Sequence, residues 1–452
     1  MRGARHKHQP SARWGTARRH TGVPQMRHTH DVGTSLFSGP AAAQRGLHGI
    51  RIVGAGLSAM VGAGVFAVVA PAARATGVWL PLALLIAATV AYCSAVSETR
   101  LSLHHPGRGG AYVYGQRRLG EGWGVLAGWA SAVGAVAACS AVALTFGVHV
   151  WPSHPRAGAL AVLAAVAVLA WSGLRPSPRT AAAACAVVVA ILAGVVVLAW
   201  GGGAADTARI AAALRWHGLA AVLSAAGLLF FAFTGWRPIT SPRLGGSEQQ
   251  LGWALGVALG VYSAVAVTAL AVLGPRELAR STVPLVDVVL RSAASDVAAS
   301  VVAAGAALAC ASVLGPALLA AAHSVAVLAA DRHVPRWLGG GSRPLGVPER
   351  ALFAAGAASA AVIVADLDLW AAAGVAAFGN LVYYAVTNAS ALRLGPTEHR
   401  PWLALPVVGL VGCIVLALCL PPKAVLYALA AVGAGVAVFV ARRWWRRRTA
   451  RA

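Results

Sequence analysis

The sequence predicts an all-α integral membrane protein of about twelve transmembrane helices, and three observations carry that reading. The 452 residues are 58% hydrophobic and only 11% charged, with a mean hydropathy of +0.71. A soluble domain carries about a quarter charged residues, and a chain this apolar cannot hide its side chains in one water-soluble core. Apolar stretches able to cross a bilayer, which takes roughly 20 residues, recur at 52–73, 78–97, 123–150, 157–173, 181–200, 217–236, 251–273, 297–329, 351–366, 369–392, 402–420 and 422–441. Finally, an even helix count puts both tails on one side, and those tails with their alternate loops hold 29 of the 37 Lys and Arg residues. The positive-inside rule makes that side cytoplasmic.

Taken in order, residues 1–47 form a basic, His-containing tail without an apolar run, expected to be disordered. His6, His8, His20, His28, His30 and His48 lack ligand spacing, so no metal is expected. Met26 is an alternative start, and no apolar h-region marks a signal peptide. The membrane domain spans 48–441, in a first part (48–200), a second (210–392) and two further helices (402–441). The stretch at 297–329 is long for one crossing, which implies tilt or projection beyond the bilayer. Dividing it at Gly315-Pro316 would leave two halves too short to span. In the tail at 442–452, Arg442-Arg443-Trp444-Trp445-Arg446-Arg447-Arg448 reads as an interfacial anchor on anionic lipid, not a nucleic-acid site. The six cysteines sit in apolar stretches without CxxC spacing and read as small buried hydrophobes. Lys7 and Lys423 are the only lysines, which suggests a GC-rich bacterial genome.

Two spans contain helix breakers. The first holds Gly54-Ala-Gly56-Leu-Ser-Ala-Met60-Val-Gly62-Ala-Gly64-Val-Phe66. Glycine weakens a helix and leaves its backbone approachable; in lipid, an unwound turn survives only where protein or a water-filled cavity satisfies it. On the glycines alone, close helix packing is the favoured reading. The sixth span ends Phe230-Phe231-Ala232-Phe233-Thr234-Gly235-Trp236-Arg237-Pro238, where Gly235 and Pro238 interrupt it. Interrupted helices at corresponding positions of two halves point to a midplane binding site in an inverted-repeat transporter.

These residues resemble the amino acid–polyamine–organocation superfamily. Gly56 to Phe66 is similar to its first-helix motif, G-x-M-I-G-A-G-I-F. Ser97-Glu98 and Pro106-Gly-Arg-Gly-Gly110-Ala-Tyr112-Val-Tyr114 resemble the family's second-helix exit and its loop. Leu119-Gly120-Glu121 and Gly128-Trp129 resemble the entry to its third helix. Phe230 to Trp236 is similar to F-F-A-F-T-G-F, Ala330-Asp331 to Pro335 to R-D-G-x-x-P, and Asn380 to Leu394 to the tenth helix. The resemblance implies a leucine-transporter-like fold of two inverted five-helix repeats plus two helices, working by alternating access. It implies that a substrate carboxylate meets backbone N–H groups around Ala59, Met60, Gly62, Ala63 and Gly64. An α-ammonium would meet carbonyls of Phe231, Ala232 and Thr234, beside Phe233 and Gly235. Phe231, with Trp236, would gate the site, and Cys139 matches a position that reads the side chain. Amino acids are the implied substrates, with no cofactor.

Departures from the pattern bear on coupling and specificity. Many members of the resembled family carry a glutamate where this chain has Arg237, some proton-coupled members a lysine near Val188, and the common S-R-x-x-Y pattern an arginine where it has His323. Coupling to protons or sodium is compatible with the resemblance, and His323 and Glu98 are the ionisable candidates. Glu98 reads first as a structural partner of Arg100 or nearby backbone. Without a midplane carboxylate, and with Arg237 and Arg243 beside the sixth span, a neutral zwitterion is expected over a polyamine. An enzyme would need a nucleophile–base or metal motif such as H-E-x-x-H or G-x-S-x-G, and none occurs. A channel would need a filter repeat. A nutrient sensor on the same fold is a further alternative.

Overall fold

The computed structural model describes residues 53–449 apart from 55, 63, 106–108, 175–176, 213–217, 241–246, 294, 343–345 and 399. The expected disordered tail, with its histidines and Met26, lies outside the described residues. Among the described residues the regular structure is all helical. Helical residues at 53–54 and 56–60 lead to a turn at Val61-Gly62, and α1 (Gly64–Thr76) follows. Next come α2 (Leu80–His104), the short α3 (Ala111–Arg118), α4 (Glu121–Val150), α5 (Pro155–Trp171) and α6 (Pro178–Gly201). The second half contains α7 (Thr207–Ala212), α8 (Leu219–Phe233), α9 (Arg237–Thr240), α10 (Glu248–Arg280), α11 (Pro284–Ala293) and α12 (Asp296–Ala330). It continues through α13 (Glu349–Val364) and α14 (Leu369–Ala391), and α15 (Ala404–Cys419) and α16 (Pro422–Thr449) close the chain.

Over the described residues each apolar stretch falls largely on one of these helices, except the first, which the turn at Val61-Gly62 divides. Among the described residues, eight runs are long and apolar enough to cross a membrane, and α5 and α15 are apolar but shorter. One run, Gly64–His104, bends at a 3₁₀ turn over Gly77–Trp79, where Gly77 takes φ 60°. Local chemistry sets several boundaries. Ser247 and Gln250 form a capping box at the start of α10, while Ser177, Ser295 and Asp368 accept from the first-turn amides of α6, α12 and α14. Pro155 and Pro178 stand at the first helical positions, where no amide donor is needed. The long α12 is one continuous helix running through Gly315 and Pro316, as the length argument requires. By contrast α10 kinks at Gly274 (φ 72°), directly before Pro275, so the seventh apolar stretch stops where its helix bends.

Small residues let the central helices approach closely, as expected where lipid supplies no hydrophobic drive between them. A Cβ on Gly134 of α4 would stand 3.1 Å from the Gly379 Cα of α14, and one on Gly379 would stand 2.5 Å from the Ala130 carbonyl. The inner core gathers α1, α2, α8, α10 and α14 around Met60, Phe230, Phe233, Trp236 and Tyr384. A second cluster joins α4, α5, α12 and α13. Leu418, Leu426, Val197 and Val440 are exposed apolar residues on α15, α16 and α6.

Candidate functional site

The two interrupted helices meet at their breaks. A Cβ on Gly64 would lie 2.8 Å from both the Cα and the Cβ of Ala232. A Cβ on Gly235 would lie 2.5 Å from the carbonyl carbon of Ala59 and the amide nitrogen of Met60. Both glycines therefore permit backbone-on-backbone contact, which accounts for their small size whether or not a ligand also binds there. A Cβ on Gly62 would meet the Val313 side chain of α12, and one on Gly56 would meet Ile239 beyond the second break. Of the residues expected around a substrate, Ala63 lies outside the described residues.

Polar chemistry at the breaks is sparse and specific. The Tyr262 hydroxyl, from the middle of α10, lies 2.5 Å from the Met60 carbonyl and 3.1 Å from the Ala232 carbonyl. A phenol has one proton to donate, so two carbonyls, one from each interrupted helix, share one donor. Tyr262 is buried and packs edge-on against Phe233, with ring centroids 5.2 Å apart. None of the sequence motifs contains this residue. A hydroxyl-bearing aromatic inside an apolar span is the signal that could have found it, because such a hydroxyl needs a partner in lipid. Thr234 turns back on its own helix, its hydroxyl donating to the Phe231 carbonyl at 2.8 Å. Phe231 is half-buried and touches both core clusters.

Of the partners expected for Glu98, Arg100 or nearby backbone, Arg100 is engaged by another carboxylate, that of Glu248, at 2.5 Å. The Glu98 carboxylate accepts from the Trp236 indole N–H at 2.9 Å and from the Tyr383 hydroxyl at 3.4 Å. Tyr383 in turn accepts from the Ala111 amide at the start of α3, and the Ser102 hydroxyl donates to the Thr240 carbonyl of α9. Helix α2, the second break, α14 and α3 are thus tied together around one buried carboxylate. Trp236, expected as a gate, is fully buried and serves as a donor in this cluster. Cys139 is fully buried among α5, α12 and α13. Its neighbour Ser140 donates to the Ser359 carbonyl of α13, so this stretch of α4 is packed helix to helix. The side chain of Arg237, and all of Arg243, lie outside the described residues.

A cavity of about 210 Å³ opens beside this cluster. Glu98, Thr240, Tyr112, Ser131, Ser324 and His323 line it, so the two ionisable candidates of the sequence share one cavity. The backbone at Ala59-Met60, Gly64, Ala232 and Gly235, expected to hold substrate, does not line it and is closed on itself. At its mouth Tyr112 donates to Asp331, and burial together with that bond raises the phenol pKa. His105, also on the wall, takes a hydrogen bond from Arg118 at 3.1 Å. Burial and the charges of Arg118 and Arg117 lower its pKa. Arg118 grips Glu398 with both terminal nitrogens, at 2.9 and 2.5 Å. That fork and the Gly395 amide push the Glu398 carboxyl down to about 2. Among the described residues, no group of three or more His, Cys, Asp or Glu side chains is placed to hold a metal.

Interrupted apolar helices crossing at their breaks, with a polar cavity beside them, define a multi-pass membrane transporter. The amino acid permease family profile matches residues 47–441, and the chain belongs to that family. Proteins described as uncharacterized transporters in Mycobacterium bovis and in two strains of Mycobacterium tuberculosis are each 44% identical to it over 417 residues. The alignments cover 90% of this chain and 94% of each relative. Family and relatives place the chain among transporters, not enzymes.

Proposed function

We propose that this permease moves zwitterionic amino acids with neutral side chains across the bacterial plasma membrane by alternating access. In this reading the twelve apolar stretches all cross, as two inverted five-helix repeats plus two helices, with both termini cytoplasmic. The observation that carries it is the meeting of two helix breaks, Gly64 on Ala232 and Gly235 on Ala59-Met60. There, released amides of one helix face a carboxylate and released carbonyls of the other an ammonium. Counter-flow of labelled substrate in proteoliposomes, challenged with unlabelled compounds, tests it. Alanine-, serine- or leucine-like amino acids should compete, and arginine and putrescine hardly at all. A transporter-fold sensor would give no counter-flow.

Amine or polyamine transport is the second reading, favoured by one observation: the Glu98 carboxylate lines the cavity. Best competition by putrescine would select it. The joint placement of Glu98 and His323 on that wall supports proton coupling over sodium. An imposed inward pH gradient should then drive uptake without sodium. For orientation, Ser281→Cys in a cysteine-free background should label from outside. Labelling of either tail instead would reverse the topology.

A further inference from the structure

The cavity mouth connects to a cluster of arginines at the end of the last helix. After α12 the chain turns sharply at Arg332, which adopts φ 63°. The Arg442 guanidinium of α16 donates to the Arg332 carbonyl at 2.5 Å, and Phe439 packs on His333 with centroids 5.4 Å apart. Arg332, Arg336 and Arg442 are exposed and make no ion pair among the described residues. Three arginines on this turn and helix end, against the single carboxylate of Asp331, leave a net positive charge that favours an anion.

Two features point to the kind of anion. Trp337, next to Arg336 in the chain, and Trp444, two residues past Arg442, are 60% and 52% exposed, and exposed tryptophan near arginine in the chain is the signature of the headgroup layer. About half a turn and one turn back from Arg442 along α16, Val440 and Val438 expose apolar surface for an acyl chain. A free phosphate would need the guanidinium groups but neither the tryptophans nor the valines.

We infer that Arg332, Arg336 and Arg442 form a binding site for the headgroup of an anionic phospholipid of the inner leaflet, and that its occupancy acts on the cavity. The orientation rests on the transporter reading above; the contacts do not. Arg442 holds the turn at Arg332, the neighbouring Asp331 accepts from Tyr112, and Tyr112 forms the cavity wall. Tyr112 also packs against His333, centroids 6.2 Å apart. A headgroup bridging the arginines offsets their mutual repulsion, fixes the turn and so fixes Tyr112. Without it, Asp331 and Tyr112 move more freely and the mouth changes its exposure.

The test uses the full chain and needs no transported substrate, so failure of the transport reading leaves it intact. Native mass spectrometry of the purified protein should show phosphatidylglycerol retained over phosphatidylcholine. Arg332→Gln, Arg336→Gln and Arg442→Gln combined should weaken retention roughly 100-fold, at about 1 kcal/mol for each of three arginines near an anionic surface. The matching lysine triple should keep most of it. Soluble glycerol phosphate should not displace the lipid, and displacement by it would mean a free-anion site and overturn the proposal. Thiol labelling of Val327→Cys, on the cavity wall, should change several-fold between nanodiscs of the two lipids. That difference should vanish in the Gln triple. It should also vanish in Tyr112→Phe, which should still retain lipid. Equal retention by the Gln triple, or lipid-indifferent labelling, would overturn the site or its coupling respectively.

Discussion

Gly62 offers a test in which packing and substrate contact give different answers. An added Cβ would fall inside 3.0 Å of a single atom group, one methyl of Val313, with the next neighbours at 3.4 Å (Val313 Cβ) and 3.6 Å (Ala309 carbonyl). Those last two distances are ordinary contacts, so the whole clash resides in that methyl. Overpacking of this kind costs about 1–3 kcal/mol, equivalent to roughly a 5- to 150-fold loss in the folded ratio. Val313→Ala removes the methyl. Val313 is half-buried, so its own loss is about 1 kcal/mol or less at about 0.8 kcal/mol per buried CH₂. The Gly62→Ala/Val313→Ala double variant should therefore be no less stable than Val313→Ala alone, a coupling of about 1–3 kcal/mol in the double-mutant cycle. Monodispersity after graded heating in detergent reads stability, and counter-flow reads transport. If substrate uses the Gly62 backbone, the double variant refolds the site without restoring full transport; if Gly62 serves packing alone, both return together. Independent, additive losses in stability would refute the steric argument. Gly235→Ala should resist any such rescue, because its Cβ would meet backbone 2.5 Å away.

The same geometry predicts three further outcomes. Tyr262→Phe leaves two buried carbonyls without their shared donor, which costs about 1–3 kcal/mol; it should lower thermal stability and depress counter-flow, and unchanged values in both would remove Tyr262 from the site. Glu98→Gln keeps acceptor capacity for Trp236 and should fold, whereas Trp236→Phe strands part of the carboxylate and should reduce the yield of folded protein; equal behaviour of the two would argue against the indole bond. Acidification should loosen the mouth in two steps: the folded pKa of His105 lies below its ordinary value and that of Glu398 is pushed down to about 2, so both contributions are present near neutrality. The His105 share fades as pH falls below about 6.5 and the Glu398 share as it falls below about 4.3; protease nicking near 105–118 that is flat from pH 7 to 4 would contradict this.

The helices are legible in the sequence because a bilayer demands long apolar runs, and proline and glycine punctuate them at Pro155, Pro178, Gly235 and Gly274. The two breaks are legible for the same reason. What the breaks touch is not. Gly64 and Gly235 read alike whether their missing side chains make room for a substrate or for a neighbouring helix, and here each faces backbone some 170 residues away in sequence. Glu98 reads as a partner of Arg100 because a sequence shows neighbours only, while its actual partners Trp236 and Tyr383 arrive 138 and 285 residues later. Cys139 falls on the packed side of α4, and apolar residues surround that helix almost uniformly, leaving no periodic stripe to tell cavity from core. The capping serines and Asp368, by contrast, are written locally and need no tertiary knowledge.

The carboxylate of Glu98 draws one donor from the second break and one from α14, and all three groups are buried. Losing any one member orphans polar atoms of the other two, so the three positions are not free to drift singly through evolution. Exchanges should instead appear in concert, with an apolar residue at 98 accompanied by partners that have given up their hydrogen-bonding atoms at 236 and 383. Such joint histories would be visible in sequences alone. They would mark which permeases keep this knot and which have retied it around different chemistry.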